Sequence, residues 1–224
     1  MSVVVVTGMR SEAALLPPGM RALVSGGDPV RLRRMLEEAA KGTTAVLSFG
    51  IAGGLDTTLE PGALVVATRV RAPGGAWPAD SPWSSALVRA SGARLGVVAG
   101  AAAVVAGPAA KRALRLMTNA LVVDLESAVA AAFAASRGLP FAVLRAVADT
   151  AEEVLPRAAA VGLTAAGRPA PGRVAMALMR RPAELPALVQ VARRSRTALD
   201  ALARVASRLP QPAEDTPLPA NDMA

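Results

Sequence analysis

Four acidic side chains lie at or just after the ends of apolar stretches, where a buried carboxyl group needs a partner to be tolerated. Glu12 follows the run SVVVVT, Asp124 and Glu126 follow ALVV, and Asp149 ends FAVLRAVAD, which also contains Arg145. The 224 residues include no histidine and no cysteine, which excludes Ser-His-Asp and Cys-His catalysis and thiolate zinc sites. Any chemistry must therefore come from Asp, Glu, Ser, Thr, Arg or Lys.

Strand and helix signals alternate around these residues and predict an α/β fold. We expect a single domain with a largely parallel twisted sheet flanked by helices, followed by a C-terminal helical extension. In open α/β sheets, ligands bind beyond the carboxyl ends of the strands, so the acids should meet at one edge. The predicted strands are 2–7, 43–49, 63–71, 96–98 with 102–106, 120–124 and 141–146, and the predicted helices are 11–16, 29–41, 84–93, 108–117 and 126–137. Residues 72–83 are expected to form a rim or lid.

The positive charge is concentrated near the C-terminus. Of a net charge of +8, residues 157–208 hold ten arginines against Glu184 and Asp200. We therefore divide the chain into a core of residues 1–158, a basic helical extension of 159–208 and a disordered, proline-rich tail of 209–224. With 2% aromatic residues, the chain lacks the stacking side chains of single-strand binders, so no nucleic-acid partner is expected.

The basic extension supports two interpretations. Its helix packs on the core with a solvated arginine face, or residues 173–208 contact a membrane surface through an apolar face beside arginines. The N-terminus lacks the features of a signal peptide, and the longest uncharged run, 95–110, is too short to span a bilayer. We expect a cytoplasmic protein, and the second interpretation adds a peripheral contact with the inner face of the membrane.

Three ordered motifs carry a family resemblance. The stretch VVDLESAVAAAFAASRGLPFAVLRAVAD resembles the nucleoside phosphorylase/nucleosidase superfamily, which writes V-x-M-E-x-A and then P-F-x-x-x-R-x-x-[ST]-D. FGIAGGLDTTLEPGALVVA is similar to its G-x-A-G-G-L segment, and TGMRSEAALL to its G-A-M-x-x-E-x-x-x-L. Together they spread over residues 3–152. The tail from Arg173 resembles the hopanoid-associated branch, the adenosylhopane nucleosidases.

The resemblance implies a set of catalytic roles. Asp149 would be the general acid that protonates the departing purine, with a pKa raised by burial among apolar neighbours. Glu126 would hold the ribose hydroxyls, Glu12 would activate water, and Arg145 would orient that network. Further substrate-binding residues would be Leu125, Gly53, Gly54, Ile51 and Phe49. The glycines, with Gly50, would let backbone N–H groups approach an oxyanion or water.

Departures from the family pattern leave the nucleophile open. Ala148 replaces the Ser or Thr that commonly precedes the catalytic Asp. The positions of the usual phosphate ligands read Ser48 to Gly53 without Arg or Thr, although Arg10, Arg69 or an arginine of a partner subunit could substitute. Because Glu12 is present, we favour water over phosphate. No aromatic residue occurs near 106–109, where the family stacks the base.

The sequence thus predicts an enzyme that cleaves the N-ribosidic bond of a purine nucleoside, most specifically by releasing adenine from adenosylhopane. The alternatives are a soluble methylthioadenosine/S-adenosylhomocysteine-type nucleosidase and an inactive basic membrane-binding module. No metal or organic cofactor is expected, and phosphate is a possible co-substrate. The family also implies a homo-oligomer.

Each site residue also has a purely structural interpretation. Glu126 and Glu12 could be early-turn acids that favour a helix dipole, and Asp149 could cap a helix beginning near Thr150. Arg145 could form a structural ion pair with either glutamate. Asp124 is interpreted as structural, and the glycines could serve only a tight strand-to-helix crossing.

Overall fold

An eight-stranded sheet forms the centre of the computed structural model, which describes residues 2–156, 167 and 170–212. Strands β1, β7 and β8 are buried along their whole length, because mainly Val, Ala and Leu line both of their faces. The strands are β1 Val3–Thr7, β2 Arg21–Val24, β3 Ala45–Gly54, β4 Leu64–Ala72, β5 Gly75–Pro78, β6 Arg94–Gly100, β7 Ala120–Asp124 and β8 Phe141–Asp149.

Five of these strands close into a ring. Strand β8 pairs with β3 in parallel and with β4 in antiparallel, and β4 continues through β6 to β7 by parallel pairing. Strand β7 then returns to β3, where Gly53 and Gly54 lie opposite Val123 and Val122. Strands β1 and β2 extend the sheet from β3 in parallel, and β5 forms a hairpin with β4. The expected α/β fold with a largely parallel sheet is confirmed.

Helices cover both faces of the sheet. Helices α2 and α5 pack on one face through Leu32, Leu36 and Phe133, and α3 and α7 pack on the other through Trp83 and Leu202. Asp28 and Asp80 cap α2 and α3 by accepting backbone hydrogen bonds. The helices are α1 Arg10–Ala13, α2 Pro29–Ala39, α3 Ser81–Ser91, α4 Pro108–Thr118, α5 Ser127–Ser136, α6 Pro171–Arg180 and α7 Leu185–Ala206, with a 3₁₀ turn at Pro182–Glu184.

Several predicted boundaries were wrong because strand pairing overrides local signals. The glycine segment expected to be a loop continues β3 to Gly54, and β8 continues past Ala146 to Asp149, because the two strands pair along this length. The short strands β2 and β5 were not predicted, and β5 with the start of α3 occupies the expected lid at 72–83. Residues 102–106, expected to be a strand, have no regular structure.

The predicted C-terminal helix is present and packs on the core. Its second half buries Ala198, Ala201 and Leu202 against the sheet, whereas its arginines are exposed except for half-buried Arg194. The predicted boundary at 158/159 and most of the predicted disordered tail lie outside the described residues. Within residues 2–156 and 170–212, no helix is long and apolar enough to cross a membrane.

Candidate active site

A cavity of about 710 Å³ opens at the carboxyl ends of the strands. Its lining comes from the residues that follow β1, β2 and β6, from the last third of β3, and from the ends of β7 and β8, as expected for an α/β sheet. Helix α7 contributes four residues to its lining. The lining comprises Gly8, Met9, Glu12, Gly26, Gly27, Ile51, Ala52, Gly53, 102–105, Val123, Asp124, Leu125, Glu126, Ala148, Asp149, Leu155, Leu188, Val191, Ala192 and Ser195.

Glu12 is held in the cavity wall by three backbone N–H groups. Its Oε2 accepts hydrogen bonds from Gly8 and Met9, and its Oε1 accepts one from Ile51, each at 2.8 Å. Burial and the nearby carboxylate of Glu126 raise the pKa of Glu12 to about 7, although Arg145 and the backbone donors oppose this. A carboxyl group with this pKa exchanges protons readily near neutrality, which suits a general base.

Glu126 lies at the start of α5 and is 6% exposed. Its Oε1 accepts a hydrogen bond of 3.0 Å from the hydroxyl of Ser25, and its Oε2 lies 3.6 Å from Nη2 of Arg145. The pKa of Glu126 is raised above its ordinary value, because burial and the nearby Asp124 carboxylate outweigh the opposing effect of Arg145. The side chain makes specific contacts, so a helix-dipole role alone does not account for its placement.

Arg145 is fully buried behind the cavity and is not part of its lining. Its Nε lies 2.6 Å from Oδ2 of Asp124, and its Nη2 donates to the hydroxyls of Ser48 and Ser127 at 2.6 and 3.2 Å. Although burial would lower the pKa of Arg145, Asp124, Glu126 and Glu12 raise it, so the guanidinium stays charged. Its Nη1 has no hydrogen-bond partner within the described residues.

Asp124 links this network to helix α5. Its Oδ1 accepts backbone hydrogen bonds from Glu126 at 3.2 Å and Ser127 at 2.8 Å, and its Oδ2 accepts the Ser127 hydroxyl. It therefore caps the helix and neutralises Arg145, in agreement with the structural interpretation, while also lining the cavity. Ser25, Ser48 and Ser127 were not predicted from the sequence, because isolated serines carry no distinguishing pattern.

Asp149 ends β8 and forms an ion pair with Lys111 of α4. The pKa of Asp149 is raised above its ordinary value, because the effect of burial exceeds the lowering by Lys111 and, to a smaller extent, by Arg194. No helix begins within residues 150–156, the described part of the segment after β8, and the backbone N–H of Thr150 donates to Glu153 at 3.1 Å. Within these residues, Asp149 therefore does not cap a helix. Lys111 was also not predicted from the sequence. The one signal for its burial is that it lies on the same helix face as Leu114 and Thr118.

Glycine at two positions makes room for the carboxylates. A Cβ on Gly50 would lie 2.5 Å from Oε1 of Glu12 and 2.7 Å from Nη1 of Arg145, and a Cβ on Gly8 would lie 2.8 Å from Oε1 of Glu126. Within the glycine segment, the backbone N–H of Ile51 binds Glu12, and the role predicted for Gly50, Gly53 and Gly54 toward an oxyanion or water stays a prediction. The segment therefore accommodates the protein's own acids.

The structure brings most of the predicted site residues together. Glu12, Glu126 and Asp149 line one cavity, as do Leu125, Ile51 and Gly53, and Arg145 lies directly behind the first two acids. Phe49 lies in the hydrophobic core and Gly54 packs against the backbone of Asp149, so neither lines the cavity. Arg10 and Arg69 are exposed and also lie outside the lining.

The outer part of the cavity is apolar. The segment 102–105 (Ala-Ala-Val-Val) lies on one side, and Leu155 with Leu188, Val191 and Ala192 also contributes to the wall. The helix that supplies the last three is tied to the loop that follows β8 (residues 150–155), since Arg194 forms an ion pair with Glu153. Within the described residues, no arginine or lysine lines this space.

Comparisons with known proteins agree with this architecture. A family model described as the phosphorylase superfamily matches residues 22–178. No curated protein sequence matches the chain significantly.

Solved structures that resemble the chain include two nucleosidases and one hydrolase. A Helicobacter pylori 5′-methylthioadenosine/S-adenosylhomocysteine nucleosidase is 17% identical with a TM-score of 0.65, over 92% of this chain and 98% of that one. Futalosine hydrolase of H. pylori gives 17% and 0.65, over 92% and 97%. A Streptococcus pyogenes S-adenosylhomocysteine nucleosidase gives 17% and 0.65, over 94% and 98%. At these identities the likeness demonstrates the fold.

Proposed function

Because the chain belongs to the phosphorylase superfamily, we propose that it is an enzyme that cleaves the N-ribosidic bond of a purine nucleoside. The observation that carries this proposal is the convergence of Glu12, Glu126 and Asp149 on one cavity. Asp149 protonates the departing purine, which would otherwise leave as an unstable anion. Glu126 accepts hydrogen bonds from the ribose hydroxyls and stabilises the positive charge that develops on the sugar.

Water is the proposed nucleophile. Glu12 accepts its proton, and the unpartnered Nη1 of buried Arg145 lies on the same side of Gly50 as Oε1 of Glu12. Phosphate would need a cation in the cavity, and the described lining residues include none. The products are then the free purine and a sugar with a hydroxyl group at C1′.

The apolar outer cavity supports a nucleoside with a large apolar 5′ substituent, and adenosylhopane is the specific substrate we propose. A hydrocarbon group would bury its surface against 102–105, Leu155 and helix α7, and each buried CH₂ contributes about 0.8 kcal/mol. A small polar substituent would leave this surface in contact with water.

A methylthioadenosine/S-adenosylhomocysteine-type nucleosidase is the second candidate. It is favoured by the fold shared with the solved nucleosidases of H. pylori and S. pyogenes, whose names carry that activity. Incubating the protein separately with adenosylhopane, methylthioadenosine and S-adenosylhomocysteine, and measuring free adenine, separates the two. Fast release from the small thio-nucleosides with none from the lipid would favour this second candidate.

The nucleophile is determined in the same experiment. Parallel reactions in phosphate-free and phosphate-containing buffer, followed by mass spectrometry, distinguish a ribosyl product from a phosphoribosyl product. Turnover that requires phosphate would contradict the assignment of Glu12 as the water base.

Light scattering of the purified protein tests the predicted homo-oligomer.

A peripheral membrane contact is proposed for the start of the C-terminal extension. Met176 and Met179 of α6 are 54% and 77% exposed, and Leu185 and Val189 of α7 are also exposed. Two exposed arginines adjoin them: Arg180 ends α6 and Arg181 follows it. Exposed apolar side chains beside arginines fit a bilayer with anionic headgroups. This contact would bring the cavity mouth, to which α7 contributes, to a lipid-borne substrate.

Vesicle co-sedimentation with point variants tests this contact. Removing the extension is unsuitable, because Leu202 belongs to the core. Met179→Asp should weaken binding to phosphatidylglycerol vesicles, whereas Val30→Asp on α2, at a similar exposure of 76%, should not. Equal binding by both variants would reject α6 as the contact.

A further inference from the structure

Lys111 is a fully buried cation, and its hydrogen-bond acceptors within the described residues all belong to Asp149 and the loop that follows it. It is 0% exposed, and its Nζ donates to Oδ2 of Asp149, to the carbonyl of Thr150 at 2.5 Å and to that of Glu153 at 3.4 Å. These three acceptors account for the three N–H groups of the ammonium. Burying a lysine is costly, so its placement indicates a specific need for charge at this point.

The ion pair leaves the two carboxyl oxygens of Asp149 in different environments. Oδ2 is bound by Lys111, whereas Oδ1 accepts no hydrogen bond from the described part of the chain, and Asp149 lines the cavity. The preceding residue, Ala148, has no hydroxyl to orient the carboxyl group. Lys111 is thus the side chain that fixes the rotation of Asp149 and presents Oδ1 to a ligand.

We propose that Lys111 is a positioning residue that holds Asp149 for proton donation to the leaving purine, an inference that rests on the proposed function. As the C1′–N bond breaks, its electron pair goes to the purine, which takes the proton from Oδ1 of Asp149. Water forms the new C1′–O bond and gives its proton to Glu12. The carboxylate left on Asp149 is stabilised by its ion pair with Lys111. Glu12 then releases its proton to solvent and Asp149 takes one up, which restores the starting state.

The test compares two leaving groups in Lys111→Met, with Arg112→Met as the matched control. Arg112 is the next cation on α4, is exposed, and forms no hydrogen bond or ion pair with Asp149 among the described residues. From a 4-nitrophenyl riboside, 4-nitrophenolate leaves without protonation, whereas a purine needs a proton to leave. Lys111→Met should therefore lower purine release about 100-fold but nitrophenol release less than threefold, and Arg112→Met should change neither. Equal losses with both substrates, or no loss with the purine, would overturn the proposal.

The pH profile gives an independent measurement with the purine nucleoside alone. Lys111 lowers the pKa of Asp149, so its removal raises that pKa. Because the acid must be protonated, kcat/KM falls above this pKa, and the alkaline limb should move to higher pH in Lys111→Met. An unmoved limb would indicate a purely structural lysine.

Two further variants cover the case in which Lys111→Met does not fold. Lys111→Gln retains a neutral donor and should lower purine release more than nitrophenol release; equal losses with the two substrates would overturn the proposal. In an Asp149→Asn background, Lys111→Met should cause no additional loss, because the two residues act as a unit; an additive loss would contradict the proposal. If the wild type cleaves neither substrate, the proposed function fails instead.

Discussion

Glu12 of helix α1 and Ile51 of strand β3 are joined by a hydrogen bond of 2.8 Å from the backbone N–H to Oε1. Together with the donors of Gly8 and Met9, it fixes a buried carboxylate at the cavity wall. Donors from two segments far apart in sequence, the residues after β1 and strand β3, therefore hold the Glu12 side chain in one place. Such a fixed carboxylate is what the positioning of a nucleophilic water requires.

Substitution of Glu12 by Gln should abolish hydrolysis with little effect on substrate binding. The amide cannot accept a proton from water, and loss of a general base costs about 10²- to 10⁴-fold in rate. Adenine release measures kcat, and calorimetry with a non-hydrolysable nucleoside analogue measures affinity. Activity retained within tenfold, with the circular dichroism spectrum unchanged, would remove Glu12 from the mechanism.

The rate should increase with pH on the acid side of the profile. Glu12 acts only when deprotonated, and its pKa is raised to about 7, so kcat/KM should rise through an apparent pKa near this value. Since Glu12 and Glu126 interact, the apparent pKa belongs to the pair. A limb near pH 4.5, the ordinary range for glutamate, would show that the carboxylate is not buried in the working enzyme.

The stability of the folded protein should decrease with pH over the range in which the rate increases. A carboxyl group whose pKa is higher in the folded than in the unfolded state binds more protons when folded, so stability falls as pH rises between the two values. For Glu12, a rise from 4.5 to about 7 corresponds to at most ~3 kcal/mol lost between pH 4.5 and 8. We expect Tm to fall over this interval and the slope to be shallower in Glu12→Gln. An identical slope in the variant would contradict this assignment.

Replacement of Gly50 by Ala should impair both folding and catalysis. The added methyl group would meet Glu12 and Arg145 in a buried position, which typically costs about 1–3 kcal/mol. A Cβ added to Gly172 of α6 would meet no atom within 4 Å, so Gly172→Ala is the matched control and should be neutral. Chemical denaturation and adenine release measure the two effects. A neutral Gly50→Ala would imply that the acids are less crowded than the structure shows.

The sequence alone predicts the main strands and the edge at which the acids meet. Asp149 ends an apolar run and Glu126 comes two residues after the end of another, and the parallel connections of α/β folds bring such positions together. The local pattern was misleading at the glycine segment, where repeated Gly indicates a loop. Pairing with β8 and β7 instead keeps the chain extended to Gly54.

The contacts that site residues make with distant parts of the chain could not be predicted from the sequence. Lys111 occurs among Ala, Arg and Leu on a helix whose other cations, Arg112 and Arg115, are exposed or partly exposed, so its burial depends on how α4 meets the loop after β8. The apolar wall supplied by Leu188 and Val191 likewise depends on how α7 packs beside the cavity. Such contacts follow from packing, which the spacing of residues within one helix does not encode.

The most direct measurement of the central claim is adenine release by Asp149→Asn. The variant is nearly isosteric, so it should keep the fold and bind nucleoside, as circular dichroism and calorimetry would show. It should release adenine at least about 100-fold more slowly than the wild type, because the amide cannot protonate the purine. Release at the wild-type rate by the folded variant would show that the proton comes from elsewhere and would contradict the account.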